Sequence, residues 1–240
     1  CPTCLSTGVV RLRMIEVTRR QAILGTVSVG TVPVAGCVNS ADSDPSNESA
    51  NQTQESISAD DMTFDVTVAN QFGETHPAQI NAILTNTRKT PFILSTGVTP
   101  PFTSYLSRSQ SDESQLVLVP DVSEDESPLA WQGDGSPIPT SAENGCWTVT
   151  QEVLIEDIGT EIKLDQGESS SQQYDVYGYQ NEKCPPSGAY QFEDALRVYL
   201  GQPSANTPAQ EVTLKFTLTL AGDQSVSVET ADTTIKTVED

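Results

Sequence analysis

Hydrophobic and polar residues alternate with a period of two along much of the chain after residue 62, which is typical of strands with one buried face. Clusters of Pro, Gly, Asn and Ser separate these runs, and no segment keeps a helical period of 3.6 residues. We therefore predict an all-β domain over 62–240, an antiparallel β-sandwich of about 8–10 strands. The predicted strands are 64–68, 80–84, 116–119, 147–155, 161–164, 174–179, 190–192, 196–200, 212–220 and 226–228.

The pattern before residue 37 is different. Arg19 and Arg20 precede an apolar stretch, 22–35, that suits the core of a signal peptide and is short for a membrane-spanning helix. The sequence Thr-Arg-Arg-Gln-Ala-Ile-Leu at 18–24 resembles the twin-arginine export motif. This resemblance implies a protein that folds before it leaves the cell.

The apolar stretch ends in Val-Ala-Gly-Cys at 34–37, which resembles the lipobox of bacterial and archaeal lipoproteins. In that family the cysteine becomes lipid-modified, so the resemblance makes Cys37 the membrane anchor on the extracellular face. We predict a signal peptide over 14–36, which makes 1–13 an over-extended start. The alternative is an uncleaved apolar helix buried in a core.

Residues 37–61 contain few apolar side chains and many Ser, Asp and Asn. Such a segment buries too little surface to offset its ordering entropy, so we predict a disordered tether between the anchor and the folded domain. Asn47 and Asn51 begin N-glycosylation sequons in this tether.

The chain is strongly acidic, with 12 Lys+Arg against 33 Asp+Glu and a formal net charge of -21. From Cys37 onward, 8 basic residues face 32 acidic ones. This charge disfavours binding to nucleic acid and to anionic lipid. Two explanations remain, adaptation to high salt and a dedicated cation-binding role. The scattered acids and scarce lysines resemble the proteins of halophilic archaea and favour the first.

Two cysteines, Cys146 and Cys184, follow Cys37 in the part predicted to be exported, where thiols oxidise. We predict a disulfide between them, and the alternative is two separate buried thiols. Tyr190 opens a strand after a loop, which resembles the tyrosine corner of immunoglobulin-like sandwiches and implies that the predicted β-sandwich is immunoglobulin-like. There the hydroxyl bonds back to the backbone near the turn, and a buried residue follows two positions later, here Phe192.

The order of elements over 78–200 resembles the BsuPI family of proteinase inhibitors and uncharacterised lipoproteins of halophilic archaea. The matching pieces include Leu-Thr-Asn at 84–86, Leu-Asp-Gln-Gly-Glu at 164–168 and Gly-Ala-Tyr at 188–190. Another piece is Gly-Val-Thr-Pro-Pro-Phe at 97–102. The export signal and the long insert at 103–143 depart from the inhibitor family. The resemblance implies a sandwich and, as an alternative function, protease inhibition through an exposed loop.

Catalytic and metal-binding patterns are weak. His76 is the only histidine and lies in a predicted loop, so we expect a surface residue. A blue-copper site needs two His and a Cys, and a hydrolytic triad needs a positioned base. We therefore predict no cofactor, no metal and no enzymatic activity.

Three aromatic residues, Phe102, Tyr105 and Trp131, lie near or within the 103–143 insert. They form a candidate binding loop on the sandwich. The alternative is that Phe102 and Trp131 cap one end of the core. We predict a lipid-anchored surface protein with a binding or structural domain whose partner is a cell-surface protein or glycan.

Overall fold

The computed structural model describes residues 56–109, 114–134, 136–179, 184–204 and 207–237. These residues contain two short 3-10 helices, Ala59–Asp61 and Glu124–Glu126, and fourteen strands. The strands are β1 (Met62–Asn70), β2 (Ala78–Asn86), β3 (Phe92–Thr96), β4 (Arg108–Ser109), β5 (Gln115–Pro120), β6 (Leu129–Trp131), β7 (Thr148–Val149), β8 (Val153–Ile155), β9 (Thr160–Leu164), β10 (Ser169–Tyr179), β11 (Gly188–Tyr199), β12 (Ala209–Leu220), β13 (Val226–Thr230) and β14 (Thr234–Thr237).

The strands form two main sheets. The first has the order β1-β2-β10-β5, with β7 parallel to the end of β10. The second has the order β13-β12-β11-β3-β9, with β4 on β11 and β14 on β12. Strands β6 and β8 form a separate antiparallel pair. The all-β prediction is confirmed, and the packed antiparallel sheets are consistent with an immunoglobulin-like sandwich.

Alternate residues of both sheets fill the core between them, as the period of two requires. In β12 the buried apolar positions are Val212, Leu214, Phe216, Leu218 and Leu220, all at most 2% exposed. The facing sheet contributes a second set of buried side chains: Phe64, Val66, Ile80, Ala82, Leu84, Leu116, Leu118, Tyr174 and Val176. Because side chains from both sheets share one core, this part of the chain folds as one domain.

The folded domain begins before the predicted boundary at 62. Ile57 is 3% exposed and belongs to the core, and its carbonyl oxygen accepts a hydrogen bond of 3.0 Å from Gln210 Nε2. Ser58 and Asp61 form a capping box around the first 3-10 helix. The prediction of a tether through residue 61 is therefore wrong at its end. The apolar Ile57 finds a buried position against β12 that the polar composition around it did not reveal.

Two predicted strand boundaries are also wrong. The predicted strand 147–155 is divided into β7 and β8, which belong to different sheets. The predicted strands 190–192 and 196–200 are parts of the single strand β11. Asp194 interrupts the apolar pattern there, but its carboxylate accepts hydrogen bonds from the backbone N–H and the hydroxyl of Thr103. These bonds satisfy a charged group inside a continuous strand.

Candidate functional site

The predicted aromatic binding loop is not an exposed patch. Phe102 is 0% and Tyr105 is 1% exposed. The Phe102 ring stacks on Phe64 at 6.0 Å and meets Phe216 edge-on at 5.1 Å between ring centroids. The binding-loop prediction is therefore wrong for Phe102 and Tyr105, since burying these rings removes apolar surface from water. For Phe102, the alternative of packing on the core is confirmed.

A hydrogen-bond network holds this loop on the core. The Tyr174 hydroxyl donates to the carbonyl oxygens of Thr99, at 3.2 Å, and Phe102. The Tyr105 and Thr99 hydroxyls lie 2.6 Å apart. Burial raises the pKa of Tyr105 to about 12, so its hydroxyl is neutral at physiological pH. Trp131, in β6, is half-buried and also packs against the core, so it too is not an exposed binding residue.

A different surface carries exposed apolar side chains. Leu154, Ile155 and Ile158 are 49%, 45% and 54% exposed, and they are the only exposed large hydrophobic residues in the described part of the chain. Leu154 and Ile155 end the short strand β8, and Ile158 lies in the loop that leads to β9. Neighbouring residues of a strand face opposite sides, so Leu154 points away from Ile155. Ile155 and Ile158 line the same concavity, and we call these two residues the aliphatic patch. Two exposed apolar side chains on one surface suggest an interaction surface.

A groove of about 420 Å³ adjoins the aliphatic patch. It is lined by the segment 155–159 and by 95–98 at the end of β3. Ala195 and Arg197, which project from the solvent face of β11, also line it. We call this concavity the Arg197 groove. The sheet accounts for this location. Strand β3 pairs with β11 only at residues 197–199 of β11, so Ala195 has no partner in β3.

The charges of the groove are of both signs. Arg197 is exposed, and no carboxylate among the described residues lies within ion-pair distance of it. Glu156 and Asp157 also line the groove, are exposed, and form no ion pair with the described residues. Thr96 is 9% exposed, and its Oγ1 has no hydrogen-bond partner in the part of the chain that the structure describes. The groove therefore offers polar groups beside an apolar surface.

A second concavity of about 570 Å³ lies near the disulfide. It is lined by Phe72, Gly73, Glu74, Ala142, Gly145, Asp223 and Gln224. Hydrogen bonds from the backbone and hydroxyl of Ser225 hold the pKa of the exposed Asp223 carboxyl below its usual value. These two bonds give the Asp223 carboxylate a structural role in its own turn. We therefore do not regard the second concavity as the functional site.

The predicted disulfide is present. Cys146 and Cys184 are bonded, with their Cα atoms 5.2 Å apart, and the bond closes a loop with a sequence separation of 38. The tyrosine corner is present as well, because the Tyr190 hydroxyl donates a hydrogen bond of 2.7 Å to the carbonyl oxygen of Pro186. Phe192, two positions later, is 1% exposed, as predicted.

His76 lies on the surface between β1 and β2, where it was predicted. No group of three or more His, Cys, Asp or Glu that could hold a metal ion occurs among the described residues. In the same part of the chain, no helix is long and apolar enough to cross a membrane. Cys37, the pair Arg19 and Arg20, and the sequons at Asn47 and Asn51 lie outside the described residues.

Comparisons with known proteins add no identification. No protein-family model, no curated protein and no solved structure matches this chain. The resemblances to twin-arginine lipoproteins and to the BsuPI family therefore stay predictions from the motifs.

The sequence prediction missed the aliphatic patch. A signal was present, because Leu154, Ile155 and Ile158 are surrounded by the acids Glu152, Glu156, Asp157 and Glu161. The alternation nevertheless indicates a half-buried strand through 155, and exposure depends on which elements cover the segment. The alternating pattern of β11 likewise predicts Arg197 only as a solvent-facing polar residue, and it gives no sign that Arg197 lines a groove.

Proposed function

We propose that this chain is a lipid-anchored protein on the outer face of the cell membrane, whose sandwich binds a macromolecular partner through the aliphatic patch. The export and lipidation motifs at Arg19, Arg20 and Cys37 support the location. The bond between Cys146 and Cys184 also supports it, because such bonds persist in oxidising compartments. The polar segment after Cys37 would set the domain away from the membrane.

The exposure of Ile155 and Ile158 on one surface is the observation that carries the binding role. Apart from these two residues and Leu154, the large hydrophobic side chains of the described residues are buried or half-buried, so the sequence has not left apolar surface exposed at random. Apolar area removed from water contributes about 25 cal/mol per Å² to association, before the costs of ordering. An acidic rim around an apolar centre also matches the usual anatomy of protein interfaces.

A photo-cross-linking residue in place of Ile158, in the full chain made in its native cell, tests the binding role. We expect a discrete cross-linked product that depends on light. The control places the same residue at Thr219, an exposed position at the far end of β12, and should give no such product. Absence of any cross-link from position 158, in folded and surface-located protein, would overturn the proposal.

Protease inhibition through an exposed loop is a second candidate function. The observation that favours it is that Ile155 and Ile158 are about half exposed in the segment leaving β8. The test is a panel of secreted proteases with the purified protein, with Ile155→Asp as the variant. Submicromolar inhibition that the variant loses would favour the inhibitor, and no inhibition of any protease would remove it.

A further inference from the structure

The Arg197 groove contains a positive charge that has no ion-pair partner among the described residues, in a chain where positive charges are scarce. Most other basic side chains of the described residues form ion pairs, with distances of 2.6–3.4 Å: Arg88 with Asp61, Arg108 and Lys215 with Glu193, and Lys163 with Asp165. A guanidinium presents a planar set of donors that fits a carboxylate, so Arg197 is suited to a carboxylate supplied from outside the domain.

Suitable carboxylates lie on the same surface of this chain. Glu156 and Asp157 project from the loop beside Ile155 and Ile158, and neither is paired among the described residues. Within that part of the chain, the surface therefore combines one cation without an ion pair, several anions without ion pairs, Glu156 and Asp157 among them, and an apolar centre. A surface with both charges is complementary to itself when a two-fold axis brings two copies together, because residue i then meets residue j and residue j meets residue i.

We propose that the occupant of the groove is a second copy of this chain, related by a two-fold axis. The inference rests on the proposed function and names the partner. In the dimer, the loop 155–159 of each copy enters the groove of the other. Glu156 and Asp157 of one copy face Arg197 of the second, and the reciprocal contact forms at the same time.

The apolar part of this contact comes from two residues of the groove. Ile158 is 54% exposed, and the small residue Ala195 lines the groove beside Arg197. A stable interface covers about 800 Å² per partner, so the aliphatic patch forms the centre of a wider contact. Confinement of both copies to one membrane would raise their effective concentration and favour a dimer that is weak in solution.

Charge exchange at the paired positions tests the inference sharply. The variants are Arg197→Glu and the double variant Glu156→Arg with Asp157→Arg, each in the full chain. Sedimentation velocity at one salt concentration should show that wild type dimerises. Each variant alone should dissociate with a constant raised by about a hundredfold, since every reversal acts at two symmetric contacts.

Mixing the two variants in equal amounts should restore the dimer. The carboxylate introduced at position 197 of one variant then faces the guanidinium groups introduced at positions 156 and 157 of the other. A variant that had merely misfolded would not be rescued by mixing. Lys89→Glu, which reverses an exposed charge in the loop between β2 and β3, is the matched control and should dimerise like wild type. A mixture that stays monomeric would overturn the inference.

Ile158→Asp tests the apolar centre independently, with Thr219→Asp as the control for one added acid. We expect Ile158→Asp to weaken the dimer at least as much as Arg197→Glu, while thermal unfolding shows that it is folded. Failure of this inference is distinct from failure of the proposed function. A monomeric wild type whose position 158 cross-links to a different protein refutes the dimer and leaves the binding role intact.

Discussion

The side-chain amide of Asn86 donates a hydrogen bond of 2.8 Å to the carbonyl oxygen of Leu164, which joins β2 in one sheet to β9 in the other. The same amide donates to the carbonyl oxygen of Thr90 at 3.2 Å, and its Oδ1 accepts the N–H of Arg88. Asn86 is 0% exposed. It therefore satisfies the backbone where the chain passes from one sheet to the other.

We expect Asn86→Ala to lower the free energy of unfolding by about 3 kcal/mol, because it leaves the buried carbonyl oxygen of Leu164 without this partner and removes the bonds to Thr90 and Arg88. Chemical denaturation monitored by circular dichroism measures the change. The control is Asn70→Ala, which removes an exposed amide bonded to Gln79 and should cost less than about 0.5 kcal/mol. Equal effects of the two substitutions would contradict this role for Asn86.

The Tyr190 hydroxyl at the tyrosine corner should contribute measurably to stability. Tyr190→Phe removes its bond to Pro186 and should cost about 1 kcal/mol in the free energy of unfolding. Tyr199→Phe, at the far end of β11, is the control, because no hydrogen bond of that hydroxyl occurs among the described residues. We expect the control to change stability by less than half as much. A neutral Tyr190→Phe would show that the corner is only a packing site.

The disulfide should stabilise the domain mainly by restricting the unfolded chain. Replacing Cys146 and Cys184 by Ser together should lower the free energy of unfolding by about 3–4 kcal/mol, the amount expected for a closed loop of this length. Denaturation with and without a reductant measures it. Reductant should destabilise wild type and leave the double variant unchanged. A variant as stable as the oxidised wild type would contradict the entropic argument.

Asp175 should make stability depend on pH. Burial raises the pKa of its carboxyl, and the nearby Asp121 acts in the same direction, while hydrogen bonds from Gln79 and Tyr177 and the proximity of His76 oppose the rise. Because the pKa is higher in the folded state, this contribution to stability is present at low pH. It is lost as the pH rises through the folded-state pKa.

We therefore expect Asp175→Asn to be more stable than wild type at neutral pH, by less than about 1 kcal/mol because the half-buried carboxylate keeps part of its hydration. The difference should shrink as the pH falls through the folded-state pKa, and it should level off below about 4, where the carboxyl is protonated in both the folded and the unfolded state. Thermal unfolding across this range gives the measurement, with Asp65→Asn on the exposed face of β1 as the charge-matched control. A variant less stable than wild type at neutral pH would contradict the assigned sign.

The sequence predicted the sheet faces well because a strand with one buried face repeats every second residue. The buried residues of β12 follow this rule from Val212 to Leu220. Alternation cannot tell which sheet a strand joins, so the division of 147–155 into β7 and β8 was not predictable. The polar composition around residue 57 predicted a disordered tether there. Ile57 is nevertheless buried, because its side chain packs in the core near β12, which is distant in sequence.

The candidate site was the least predictable part. Aromatic side chains in a long insert suggested exposure, yet Phe102 and Tyr105 pack into the core because loop residues fold back over the sheets. Ile155 and Ile158 are exposed because no other described element covers the segment 155–159. Whether a segment is covered depends on the tertiary arrangement of the whole domain, so the local sequence pattern does not predict it.

The proposed location outside the cell is tested most directly by intact mass spectrometry of the protein purified from native membranes. The account predicts a chain that begins at Cys37, lacks residues 1–36, and carries a thioether-linked lipid on the Cys37 sulfur. A protein that retains residues 14–36 and has an unmodified Cys37 thiol would contradict the anchored location and the surface role built on it.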